Sequence, residues 1–195
     1  SASFINYLEK IKENKKLPID PKLSTFDELN LGSNSLDGIY CRWALAWIPN
    51  PKEILNKLKT YLKPSRKMVI HEYYYWTSHR TQPEKPNLKK AIGAALQSFK
   101  ESDSEIDVGK HLHQWLDELG MEITSARLMP KLITPNSKDW KWPRTFYESY
   151  FPRLTRMGYL TQQDVTNAFQ DLEDLEQLNY ATLWAPLMIE VIAEK

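Results

Sequence analysis

The sequence predicts an α/β fold: a sheet with helices on both faces and a helical cap in the C-terminal half. Three observations predict it. Residues 38–43 and 67–75, "GIYCRW" and "KMVIHEYYY", carry apolar or aromatic residues on both faces, as strands covered on two sides do. The segment between them has helical spacing, and the order strand, helix, strand implies a right-handed crossover between parallel neighbours. Residues 138–180 are helically patterned with no strand among them, which makes them an insert rather than another βα unit. The chain reads as a single domain of 195 residues with that insert inside it.

The elements follow in order. Phe4, Ile5, Leu8 and Ile11 share one face of an opening helix, which Pro18 and Pro21 end. "KLST" then reads as a short strand and residues 26–37 as a loop. After the strand at 38–43, Asn50 is a fair N-cap and Pro51 suits a first turn. Ile54, Leu55, Leu58, Tyr61 and Leu62 continue that helix until Pro64, and the strand at 67–75 follows. "TSHRTQPEKPN" is a polar loop. Leu88, Ile92, Leu96 and Phe99 mark a helix, "ESDSEID" an acidic loop, and Val108, Leu112, Trp115, Leu116 and Leu119 a second helix stopped by Gly120. "MEITSARLM" alternates as a strand. The cap follows, with Thr161 and Asp164 spaced as a capping box. "ATLWAPLMIEVIAEK" reads as one closing strand interrupted by Pro186.

Charge is balanced, 26 basic against 25 acidic residues, which argues against a nucleic-acid surface. No apolar run reaches the roughly 20 residues of a membrane span. A single cysteine, Cys41, excludes an intrachain disulfide and fits a cytoplasmic setting. His111 and His113 are two apart on a helix and point to different faces, so no metal site is expected.

Read together, four ordered segments resemble the class I S-adenosylmethionine-dependent methyltransferases, in their small-molecule branch. "SASFINYL" is similar to the start of the helix after the family's second strand. "LSTFDELNLGSNSLDGIYCRWALAWIPNPKEIL" is similar to its third strand, adenine loop, fourth strand and following helix. "LKTYLKPSRKMVIHEYYYW" resembles the run into its fifth strand, and "VGKHLHQWLDELGMEITSARL" the helix and strand after that. The implied fold is a Rossmann-like sheet. The implied cofactor is S-adenosylmethionine and the implied partner a small-molecule acceptor.

The chain departs from that pattern in three places. Pro64 is followed by Ser65 and Arg66 where the family has Pro-Gly-Gly, which predicts a different turn geometry. Thr25 stands where an acidic residue commonly faces the adenine. None of the six glycines forms the glycine-rich turn that holds the cofactor after the family's first strand. By this resemblance the sheet is partial, with its first strands missing, and cofactor binding is impaired. The strand at 38–43 is then left with an open edge, through which two copies could pair.

The resemblance assigns roles by position. Thr25, Phe26, Cys41, Arg42 and Trp43 would contact the cofactor, the last three at the carboxyl end of a strand, where open sheets bind ligands. His71 and Glu72 would serve as the general base toward the acceptor. Tyr73, Tyr74, Trp76, Trp140 and Trp142 would wall the acceptor pocket under the cap. Two readings stand: methyl transfer to a small molecule, or a non-catalytic binding or scaffold protein of the same fold.

Overall fold

The computed structural model describes residues 1–102 and 105–195; Asp103 and Ser104 of the acidic stretch lie outside them. Helix α1 (Ala2–Lys15) is followed by β1 (Leu36–Arg42), α2 (Pro51–Tyr61), β2 (Leu62–Tyr75), β3 (Arg80–Gln82), α3 (Pro86–Lys100) and α4 (Leu112–Glu118). Then come β4 (Glu122–Met129), β5 (Leu132–Ile133), α5 (Lys141–Arg156), α6 (Gln162–Glu176), β6 (Thr182–Trp184) and β7 (Leu187–Glu194).

The main sheet has four strands in the order β1-β2-β7-β4. β1 and β2 are parallel, joined through α2 as the crossover pattern implies. β7, last in sequence, runs antiparallel between β2 and β4. The mixed α/β class with a helix-flanked sheet is therefore observed, and β1 forms one edge of it.

Side chains alternate along β2. Met68, Ile70 and Glu72 are buried, as are their β7 partners Ala193, Val191 and Ile189. Helices α2 and α4 lie side by side, tied by Lys52 to Glu118 and by Lys59 to the Leu119 carbonyl. Ile54, Leu55 and Leu58 of α2 and Leu112 and Leu116 of α4 enter the core. Each such side chain contributes about 1.5–3 kcal/mol on burial. The opposite face is less covered: Val69, His71 and Ile192 are only partly buried and Tyr40 is exposed. Helices were expected on both faces, but α1 buries none of its side chains.

Helices α3, α5 and α6 form the cap. Asp171 of α6 accepts from the Asn87 and Leu88 amides at 2.8 and 3.0 Å, satisfying the first turn of α3. Ser98 of α3 meets the Tyr150 hydroxyl of α5 at 2.9 Å. The capping box at the start of α6 forms as expected, with Thr161 and Asp164 bonding reciprocally.

Several expectations need correction. Residues 22–25 form no strand; prolines 18 and 21 donate no amide hydrogen, and Leu23 is exposed. Asn50 caps α2 by adopting the left-handed conformation (φ 50°), without a side-chain hydrogen bond. α2 ends at Tyr61, and Pro64 lies within β2. Ser65 takes a positive φ of 55° there, so the turn keeps the left-handed geometry without its glycine. Its amide donates to the Lys195 carbonyl at 3.0 Å, anchoring the turn to the end of β7. The closing segment is two strands in two sheets, because β6 joins a small three-stranded sheet of order β3-β6-β5. Ala185 and Pro186 make the change of sheet between them.

Candidate functional site

The carboxyl end of β1, at Arg42, pairs in register with His71 of β2, four residues before that strand ends. Trp43 leaves the strand at a positive φ of 53°, its amide donating to the His71 carbonyl at 3.1 Å. That reversal turns the indole across the sheet end. Its Nε1–H donates to Met188 Sδ at 3.1 Å. Its ring lies nearly parallel to Trp142, 5.5 Å between centroids, and to Tyr73, 6.1 Å away. The Arg42 guanidinium sits 4.0 Å from the Trp43 ring centroid.

This group of parallel rings divides two cavities. On one side is a cleft of about 620 Å³ bordered by Arg42, Trp43, Met129, Lys131, Asp139, Trp142 and Met188. On the other, under the cap, is a small cavity of about 30 Å³. Its lining is Trp47, Tyr73, Trp76, Phe99, Trp142 and Phe146, with His79, Pro143 and Pro186.

Glu72 points into the core of the protein. It is fully buried, and its Oε1 accepts from the Ala44 and Leu45 amides at 2.8 Å each. Those bonds fix the single helical turn at Leu45–Trp47, and with it the direction in which Trp47 leaves. Burial pushes the Glu72 carboxyl above its ordinary range, against the pull of those amides. Cys41 packs nearby, and burial, then the Glu72 charge, pushes its thiol up to about 12. A thiol held protonated is a poor nucleophile.

His71 points to the other face. Its Nε2 lies 2.6 Å from Glu190 and its Nδ1 3.2 Å from the Tyr40 hydroxyl. Arg127 closes the row by donating to Glu190 at 2.5 Å, so these side chains cross all four strands. His71 and Glu72 are thus on opposite faces, and neither borders the two cavities.

The remaining predicted residues divide. Tyr73, Trp76 and Trp142 line the small cavity. Tyr74 packs against the core instead. Trp140 is also core, its Nε1–H donating to Glu176 at 2.7 Å. Thr25 closes a local turn with Glu28. Phe26 lies against the second half of α2, where Lys57 donates to its carbonyl at 3.0 Å. The structure does not bring Thr25 and Phe26 to the cleft that Arg42 and Trp43 border.

The sequence reading missed His79 and Tyr147. His79 Nδ1 is 2.9 Å from the Trp184 carbonyl, which only accepts, so Nδ1 carries the proton. Its Nε2 then accepts from the Tyr147 hydroxyl at 2.6 Å. Burial lowers the His79 pKa to about 4, so the imidazole is neutral. The spacing of Trp140, Pro143, Tyr147, Phe151 and Leu154 along one helical face signals the burial of Tyr147. Nothing in the polar run around His79 signals its own burial.

Residues 1–70 match a family model described as a methyltransferase domain. No curated protein matches the chain. Among solved structures, a Bacillus halodurans protein described as a methyltransferase superposes with a TM-score of 0.62 at 12% identity, over 100% of this chain and 80% of its own. A sarcosine dimethylglycine methyltransferase from Galdieria sulphuraria gives 0.57 at 16% identity, over 100% and 67%. A geranyl diphosphate methyltransferase in complex with S-adenosylmethionine gives 0.54 at 7% identity, over 100% and 65%. At 7–16% identity these structures show a shared fold, and the family-model match covers residues 1–70. No helix of the described residues is long and apolar enough to cross a membrane.

Proposed function

We propose that this chain takes part in S-adenosylmethionine-dependent methyl transfer to a small-molecule acceptor. The observation that carries the reading is the pair of cavities divided by Trp43, Tyr73 and Trp142 at the carboxyl ends of the parallel strands. The larger cleft, at about 620 Å³, has the volume of a small-molecule site. Its residues fit the amino-acid end of the cofactor. Among the described residues Arg42 makes no ion pair, which leaves its guanidinium for a carboxylate. When bound, S-adenosylmethionine supplies a sulfonium methyl, whose bond to sulfur breaks as the acceptor's lone pair bonds to carbon.

The protein's part is position and dryness. Arg42 and Trp43 orient the ligand in the cleft, and Glu72 holds the turn that carries Trp47. The rings of the small cavity exclude water from the acceptor. No ionised side chain borders that cavity, where His79 is neutral.

A second reading, binding without catalysis, is favoured by one observation: Thr25 and Phe26 lie away from the cleft, which leaves the adenosine end without those contacts. Calorimetric titration with S-adenosylmethionine and S-adenosylhomocysteine tests the first reading. We expect micromolar binding, about −8 kcal/mol, weakened about tenfold by Arg42→Ala. A folded chain that binds neither ligand would leave only the second reading.

A further inference from the structure

His79 also borders a further cavity, of about 260 Å³, between β3 and the first half of α3. That is room for a small molecule rather than a single water. Apart from His79, its walls share no residue with the cleft or the ring-lined cavity. The two-residue period of β3 builds the strand side. His79 and Thr81 are buried, whereas Arg80 and Gln82 are exposed. On the helix side Lys89 and Ile92 are three residues apart and share one face of α3.

The groups around this space are mostly donors. Thr81 is only 8% exposed, yet its hydroxyl bonds to no described residue. A valine would have the same shape with no polar atom to satisfy. Thr77 adds a second hydroxyl, and Arg80 makes no ion pair with any described residue. Glu84 is the acidic side chain at the border, and Lys89 holds its charge at 2.9 Å. Both nitrogens of His79 are engaged, by the Trp184 carbonyl and the Tyr147 hydroxyl, so the imidazole offers no free acceptor. Free donors thus outnumber free acceptors, and the charge left unbalanced is the positive one of Arg80.

We propose that this cavity binds a small molecule through an oxyanion, a phosphoryl or carboxylate group that pairs with Arg80 and accepts from the Thr81 hydroxyl. An oxyanion only accepts, which matches the donor excess. Ile92 gives the rest of the molecule an apolar floor. The site stands apart from the methyl-transfer cleft and does not depend on that reading.

The test uses the intact chain without cofactor. Inorganic phosphate, and separately acetate, replaces chloride at constant ionic strength and neutral pH while the His79 ring signals are followed by nuclear magnetic resonance. The expected result is a saturable shift of those signals with at least one anion, the tighter binder naming the group. Thr81→Val, which keeps the shape, should weaken binding about tenfold. Arg80→Gln should weaken it at least as much, and Arg80 is exposed, so its loss leaves the core intact. No saturation with either anion, saturation that leaves His79 unmoved, or variants that bind as the wild type does would each overturn the proposal.

Discussion

Single residues in this protein act through which side of a strand or turn they leave. Glu72 and His71 are neighbours in sequence, and both read as bases at a strand end. The two-residue period of β2 sends them to opposite faces, one beneath the Leu45–Trp47 turn and one toward Glu190. Identity was legible at these positions, but the face was not, because both sides of the strand carry apolar neighbours. His79 was not legible at all. It sits in a polar run, and only α5 and β6, folded from more than 60 residues away, bury it. That burial has a pH consequence. The folded pKa is lowered from 6.5 to about 4, so the unfolded chain takes up the proton first. The stability from neutral His79 is complete above pH 6.5 and is lost as pH falls through about 4. Its size is about 3 kcal/mol. Urea unfolding from neutral pH to about pH 4 should show this loss in the wild type and much less of it in His79→Gln. Parallel curves would contradict the account.

Elements differ in how plainly the sequence announces them. The β1–α2–β2 unit was readable because its strands are long and α2 has a clear apolar stripe, Ile54, Leu55, Leu58 and Tyr61. The capping box of α6 was readable from two residues. The small sheet was not, since β5 has two residues and β3 and β6 three each, too few to show a period. The positive-φ turn near the start of β2 shows a subtler failure. Its glycine is gone, yet Ser65 holds the same left-handed backbone because the Lys195 carbonyl fixes its amide. Gly109 offers a direct test of element packing. A Cβ there would meet the Tyr73 carbonyl oxygen at 2.6 Å and Ile189 at 2.7 Å. The single turn at Val108–Lys110 therefore packs on β2 at a distance only glycine allows. Gly109→Ala should cost about 2–3 kcal/mol in denaturant unfolding. A change below about 0.5 kcal/mol would show that the turn lies further from the strand.

At the scale of the molecule, the sheet ends at β1 with an unpaired edge beside the exposed Tyr40. Open edges pair with other strands. We propose that two copies meet there, and sedimentation across a wide concentration range should show a reversible dimer; a monomer throughout would remove that reading. The fold class and the position of Arg42 and Trp43 at the end of β1 were legible because a crossover fixes where the carboxyl ends of parallel strands must lie. The division of that site into two cavities was not, because Trp43 and Trp142 come from segments about a hundred residues apart and meet only through the folded cap. The account stands most directly on that division. Its clearest test is a nitrogen–proton spectrum of the seven tryptophan indoles while S-adenosylhomocysteine is added. The account predicts that the Trp43 and Trp142 signals move together on saturation while Trp115, on α4, stays in place. Saturable binding that leaves the Trp43 signal unmoved would put the ligand elsewhere and contradict the site described here.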